Sequence, residues 1–152
     1  MAKFKVLLVD DEEDFVKALA ERLKLRELGP DVALSGEEAL QSLDSEIPDV
    51  MVLDLRMPGI DGMEVLRRVK KAYPEVQVII LTGHGSQKDE EEARRLGAFE
   101  YLQKPVNIDH LVKVLKDAYK AKLERQGAAI AFAEEGMFSA AQELMDEEKK
   151  KS

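Results

Sequence analysis

Cysteine is absent from all 152 residues, which rules out disulfides and thiolate metal sites and suits a reducing cytoplasm. A surplus of positive charge is absent as well: 23 Lys and Arg face 31 Asp and Glu, a formal net charge of −8. Nucleic-acid phosphates would repel such a surface, so direct DNA binding is not expected. Long apolar runs are also missing. In MAKFKVLLVDDEED the acidic residues begin directly after Val9, too early for the apolar core of a signal peptide or for a membrane span. The expectation is a soluble, cytoplasmic protein that makes no membrane contact. What the chain does have is 45% hydrophobic residues, enough for a packed core, in a length that fits one globular domain.

Those hydrophobic residues come in two alternating kinds of segment. Short β-branched runs read as strands: Phe4–Val9, Asp31–Leu34, Val50–Leu53, Val76–Leu81 and Phe99–Leu102. Between and after them lie stretches with helical spacing. The first spans Asp14–Leu28, with Phe15, Ala18, Leu19 and Leu23 on one face, and is expected to end at Gly29-Pro30. The second covers Gly36–Leu43 behind a Ser35 cap, with Glu38 placed to complete a capping box. The third is capped by Asp61 and runs to Ala72, the fourth is the acidic segment Ser86–Leu96 ending at Gly97, and the fifth is Asn107–Arg125. Five strand-then-helix units imply a parallel sheet covered on both faces. In such sheets ligands bind beyond the carboxyl ends of the strands.

Chemistry gathers at those ends. The first strand leads into Asp10-Asp11, the third into Asp54, the fourth into Thr82 and the fifth into Lys104. Carboxylates crowded on one edge repel one another unless a cation neutralises them, and a hard divalent ion with oxygen ligands is the natural partner. Magnesium suits a site with few protein ligands that also takes waters and a phosphate. Lysine adds a mobile positive charge for a phosphoryl oxygen, and a threonine hydroxyl can donate to another. An Asp carboxylate can itself be the nucleophile, forming an aspartyl-phosphate. Taken singly, Asp10-Asp11 could cap a helix, Thr82-Gly83 could end a strand and Lys104-Pro105 could form a turn.

Together and in this order, Asp10-Asp11, Asp54 followed by Met57-Pro58-Gly59, Thr82-Gly83 and Lys104-Pro105 resemble the receiver domain of two-component response regulators, over about the first 120 residues. The resemblance implies a doubly wound α/β fold with a flavodoxin-like strand order 2-1-3-4-5, helices on both faces and a C-terminal helical extension. It implies Asp54 as phosphoacceptor, with Lys104 and Thr82 completing the catalytic set. It implies Mg2+ held by Asp11 and Asp54 with the backbone carbonyl of Arg56, Asp10 acting through water. It also implies a switch in which Thr82 moves to the phosphoryl group and Tyr101 turns inward, with a cis bond before Pro105 aiming Lys104 at the site.

The phosphoryl group would come from a sensor histidine kinase or phosphotransfer protein and be read by a downstream protein target. The chain would be no enzyme toward free substrates. Two other classes compete with this one: a receiver-like structural or oligomerisation module, and an aspartyl-phosphate phosphatase of the haloacid-dehalogenase type. The latter wants a second Asp two residues after its nucleophile, where Arg56 stands here. Arg56 and His84 flank the site and suggest tuning of phosphoryl lifetime. His84 and His110 are expected at the surface, and Glu90, Glu91 and Glu92 read as a solvated helix face. The expected division is a receiver at 1–125 and a helical extension at 126–152, with no separate output domain. Ile130, Ala133, Met137, Ala140 and Leu144 recur at near-heptad spacing in that extension. Homodimerisation through the fourth-helix and fifth-helix face, or through this tail, is therefore an expectation.

Overall fold

Residues that alternate along the central strands divide the interior into two layers. In β1 (Val6–Val9), β3 (Val50–Leu53) and β4 (Gln77–Thr82) every residue is buried, which requires helices on both faces. Leu7, Val9, Met51, Leu53, Val78 and Ile80 face one layer; Val6, Leu8, Val50, Val52, Ile79 and Leu81 face the other. The first layer is closed by α2 (Gly36–Ser42), α3 (Gly62–Ala72) and α4 (Gln87–Arg95). The second is closed by α1 (Glu13–Lys24) and α5 (Ile108–Ala133). With β2 (Asp31–Ala33) and β5 (Glu100–Gln103) at the edges, the sheet is wholly parallel in the order β2-β1-β3-β4-β5. The fold is thus the expected flavodoxin-like one. The structure, a computed structural model, describes residues 3–133, with side chains through Gly127.

Helix starts follow the sequence closely, because short polar side chains supply the acceptors that orphan N–H groups need. Ser35 accepts from the backbone N–H of Glu38, Asp61 from that of Glu64 and Asn107 from that of His110. The reciprocal capping box belongs to α4, between Ser86 and Asp89, and α2 has only the Ser35 half. Helix ends differ more. The first helix stops at Lys24, four residues short of Leu28, and the reversal is made by Glu27 at φ 63° and not by Gly29. That turn sends the Leu28 N–H back to the Leu23 carbonyl and buries Leu28 in the α1–α5 layer. Burial of a leucine, worth about 1.5–3 kcal/mol, outweighs the strain of one left-handed non-glycine residue.

At its other end α5 continues unbroken through Arg125 to Ala133. Its middle is fastened to the amino ends of the strands. The Gln77 amide donates to the Ala118 carbonyl (2.9 Å), Lys122 donates to Asp49 (2.6 Å), and Arg125 reaches the Gln77 side-chain oxygen (3.3 Å). Phe4 stacks on Tyr119 at 4.4 Å between ring centroids. Met137, Ala140 and Leu144 lie outside the described residues, as do the side chains of Ile130 and Ala133.

Candidate functional site

The ladder hydrogen bonds continue past the strand ends, and they carry the site residues to a single edge. Asp10 donates its N–H to Ala33, Asp54 to Val9 and Lys104 to Thr82, each over 3.0–3.1 Å. Thr82 is itself the last residue of β4. The start of α3 presses directly against the same edge: Gly62 donates to the Leu55 carbonyl at 2.9 Å, and a Cβ at Gly62 would collide with the Asp54 carbonyl. No larger residue could occupy position 62 without pushing Asp54 away.

Asp10 and Asp54 are 4% and 3% exposed, and Thr82 is fully buried. Lys104 reaches into this pocket from β5. Its Nζ donates to Asp10 Oδ2 at 2.7 Å and to Glu12 Oε1 at 2.8 Å, and lies 3.9 Å from Asp54 Oδ2. The ammonium also stands 4.3 Å from the centre of the Phe15 ring, within cation–π range. The Lys104–Pro105 peptide is cis. Asp10 is further held by the N–H of Glu12 on its Oδ1 (2.9 Å), so it pins the β1–α1 loop instead of capping the helix. Burial pushes the Asp10 carboxyl above its usual value, opposed by the bond from Lys104. The hydrogen bond from Lys104 holds Glu12 below the usual value. For Lys104 burial is the largest influence and pulls downward, yet the bonds to Asp10 and Glu12 and the nearby charges leave its pKa raised.

Asp54 is treated differently. Its Oδ1 is buried without a hydrogen-bond partner, and its Oδ2 has only the long contact to Lys104. One carboxylate oxygen each from Asp10, Glu12 and Asp54 lies within 4.8 Å of the others, a group that could hold a metal ion. An orphaned buried oxygen beside hard carboxylate donors fits a small divalent cation, which would satisfy Asp54 and relieve the crowding. Asp11 is exposed and stands outside this triple. Glu12 contributes an oxygen although it carries no strand-end or motif signal in the sequence, lying between the first strand and the helix expected from Asp14.

Around this centre Thr82 and Tyr101, the residues expected to switch, take definite positions. The Thr82 hydroxyl accepts the His84 N–H over 3.4 Å, a weak bond. Tyr101 already lies inward, 7% exposed, with its hydroxyl unpartnered against Gly85 and the Thr82 methyl; a Cβ at Gly85 would strike that hydroxyl. Burial raises the Tyr101 pKa, reinforced by Asp89 and Glu90. The Arg56 side chain pairs with Asp89 at 3.0 Å, tying the loop after β3 to the first turn of α4. His84 and His110 are exposed, as are Glu91 and Glu92, while Glu90 is half-buried and pairs with Arg94. No described helix is long and apolar enough to cross a membrane.

The chain matches the response regulator receiver domain over residues 6–116. It is 39% identical over 129 residues to an NtrX-like response regulator of Rickettsia felis, covering 83% of this chain and 27% of that protein. It is 36% identical over 121 residues to the DNA-binding transcriptional regulator NtrC of Escherichia coli K12, covering 80% of this chain and 26% of that one. It therefore spans about a quarter of the length of these curated relatives. Among solved structures, the response regulator receiver domain protein from Clostridium thermocellum superposes with a TM-score of 0.73 at 36% identity, covering 78% of this chain and 95% of that one.

Proposed function

This chain belongs to the response regulator receiver domain family, and on that premise we propose that it is a phosphoryl-accepting switch whose acceptor is Asp54. The observation that carries the reading is the state of the Asp54 carboxylate: buried, with Oδ1 free of hydrogen bonds, beside a lysine that is held 3.9 Å from Oδ2. A carboxylate not engaged by donors keeps its lone pairs for attack. In the reaction an Asp54 oxygen forms a bond to phosphorus while the bond from phosphorus to the donor's histidine nitrogen breaks, its electron pair leaving with the imidazole. The product is an acyl phosphate. Lys104 neutralises one phosphoryl oxygen and the Thr82 hydroxyl donates to another. Positioning and charge stabilisation are most of what this transfer demands.

Mg2+ is the proposed cofactor: Asp11, Asp54 and the Arg56 carbonyl would hold it on the family pattern with Asp10 acting through water, and the closeness of the Asp10 and Asp54 oxygens supports a cation there. When bound it supplies positive charge against the carboxylates and the transferring group. The donor is a sensor histidine kinase or phosphotransfer protein, the site of action is the cytoplasm, and the output is a change in contact with a protein target. The chain modifies only itself and turns over no free substrate. Incubation with acetyl phosphate and Mg2+, followed by intact mass, tests the reading. One labile phosphoryl adduct is expected, absent in Asp54→Asn and much reduced in Asp11→Asn. A full adduct in Asp54→Asn would move the acceptor elsewhere.

A further inference from the structure

Lys104 has three ammonium protons and, in this form, more acceptors than Asp54 can compete with. Two protons are committed to Asp10 (2.7 Å) and Glu12 (2.8 Å), and the Phe15 ring lies against the ammonium at 4.3 Å. Asp54 Oδ2, at 3.9 Å, is beyond hydrogen-bond distance. We propose that Glu12 is a positioning residue that latches Lys104 away from the phosphoacceptor, and that phosphorylation opens this latch. The inference rests on Asp54 being the acceptor.

Exposure decides which partner Lys104 gives up. A phosphoryl group on Asp54 brings about two negative charges into the pocket, and an ammonium drawn toward its oxygens moves away from one of the two carboxylates that now hold it. Releasing Asp10, whose side chain is 6% exposed, would leave a carboxylate buried and unpaired. Releasing Glu12, whose side chain is 58% exposed, returns it to water at little cost. Glu12 is therefore the leg of the clamp that opens, while Asp10 keeps Lys104 within reach. The latch leaves the Asp54 carboxylate uncapped before transfer and gives the lysine to the product afterwards.

Glu12→Gln keeps the size of the side chain and removes its charge, so it loosens Lys104; because Glu12 also lies in the carboxylate triple, beryllofluoride binding is compared at a Mg2+ concentration that saturates each protein. Glu13→Gln removes the same charge from the next residue, whose partner is Lys17 and not Lys104. In the full chain without metal, the Lys104 ε-methylene resonance should shift in Glu12→Gln and stay in place in Glu13→Gln. With Mg2+ present, beryllofluoride (a phosphoryl mimic) followed by fluorine NMR should half-saturate Glu12→Gln at a concentration roughly two- to fivefold lower than wild type, the range an exposed ion pair can supply. Glu13→Gln should match wild type. An unmoved Lys104 resonance, or a half-saturation equal in Glu12→Gln and Glu13→Gln, overturns the latch and leaves the acceptor reading standing. Wild type that binds no beryllofluoride with Mg2+ present overturns the acceptor reading and the latch together.

Discussion

A buried carboxylate with an oxygen that no hydrogen-bond donor satisfies is a liability unless a ligand later engages it. Asp54 is in that position: its Oδ1 has no partner and Asp10, also buried, is close enough to share a cation with it. Leaving a buried charged acceptor unsatisfied costs about 1–3 kcal/mol or more. Asp54→Asn removes that charge at constant volume, so the Mg2+-free variant should unfold at higher urea than wild type, by about 1 kcal/mol or more. Adding Mg2+ should narrow the gap, because the wild type alone has the full carboxylate set to neutralise. Equal midpoints without metal would show that Asp54 is already compensated.

At this scale the sequence revealed residue types at strand ends but not which partner each side chain chooses. Asp10, Asp54, Thr82 and Lys104 converge as their placement after the strands required. Glu12 joins them because Lys104 is long enough to bridge two acceptors, a choice no spacing rule encodes. Arg56 stands two residues after Asp54 and flanks the site in sequence, yet its guanidinium pairs with Asp89 across the loop. A long flexible side chain goes to the better-formed acceptor, and Asp89 is already fixed by its box with Ser86.

Elements were legible where one local cause dominates. Ser35, Asp61 and Asn107 each precede a helix and each cap it, and the strands of continuous apolar residues form the centre of the sheet. Ends set by tertiary contact were not. The first helix stops early to bury Leu28, and α5 runs past Arg125 because nothing at that residue breaks a helix. The clamp on α5 was equally invisible, since Lys122, Asp49 and Gln77 lie far apart in the chain. Lys122 is 9% exposed and its partner Asp49 also accepts the Lys5 N–H at 2.8 Å, so the pair is a partly buried one with its hydrogen bonds in place. Lys122→Met should destabilise the fold by roughly 1–3 kcal/mol, below the cost of breaking a fully buried pair because Asp49 keeps some solvent. Hydrogen exchange should quicken along α5 from Tyr119 onward while α1 is unaffected. Loss of protection throughout the sheet instead would mean that the pair supports the whole core and not this helix.

Over the whole molecule, 31 acidic groups against 23 basic ones make stability depend on pH through the carboxylates that folding has paired. Glu64 is held at about 2 by hydrogen bonds from Arg67 and then Arg68. Glu12 is lowered by its bond from Lys104, and Asp89 by the Ser86 backbone and then by the Ser86 hydroxyl and Arg56. Glu100 is lowered too: burial pushes it up, but the Tyr101 N–H and Arg94 outweigh that. A depressed carboxylate contributes stability above its unfolded value and loses it as pH falls through the folded one. For the three glutamates the loss therefore begins near pH 4.5 and for Asp89 near 3.8, their ordinary values, and for Glu64 it continues to about 2. Asp10 acts in the opposite sense, since burial raises it and its protonation relieves the folded state. It is one group against four, and protonating the rest leaves 23 Lys and Arg and 2 His unopposed, so repulsion grows in the same direction. The urea midpoint of the Mg2+-free protein should accordingly fall continuously from about pH 5 to pH 2. Glu64→Gln removes the carboxylate held at about 2, so its midpoint should fall less steeply than wild type in the lower part of that window while matching its shape above pH 5. If the two curves run parallel down to pH 2, solvent screens the Arg67–Glu64–Arg68 cluster completely, and the acid limb belongs to the other lowered carboxylates and to the growing positive charge.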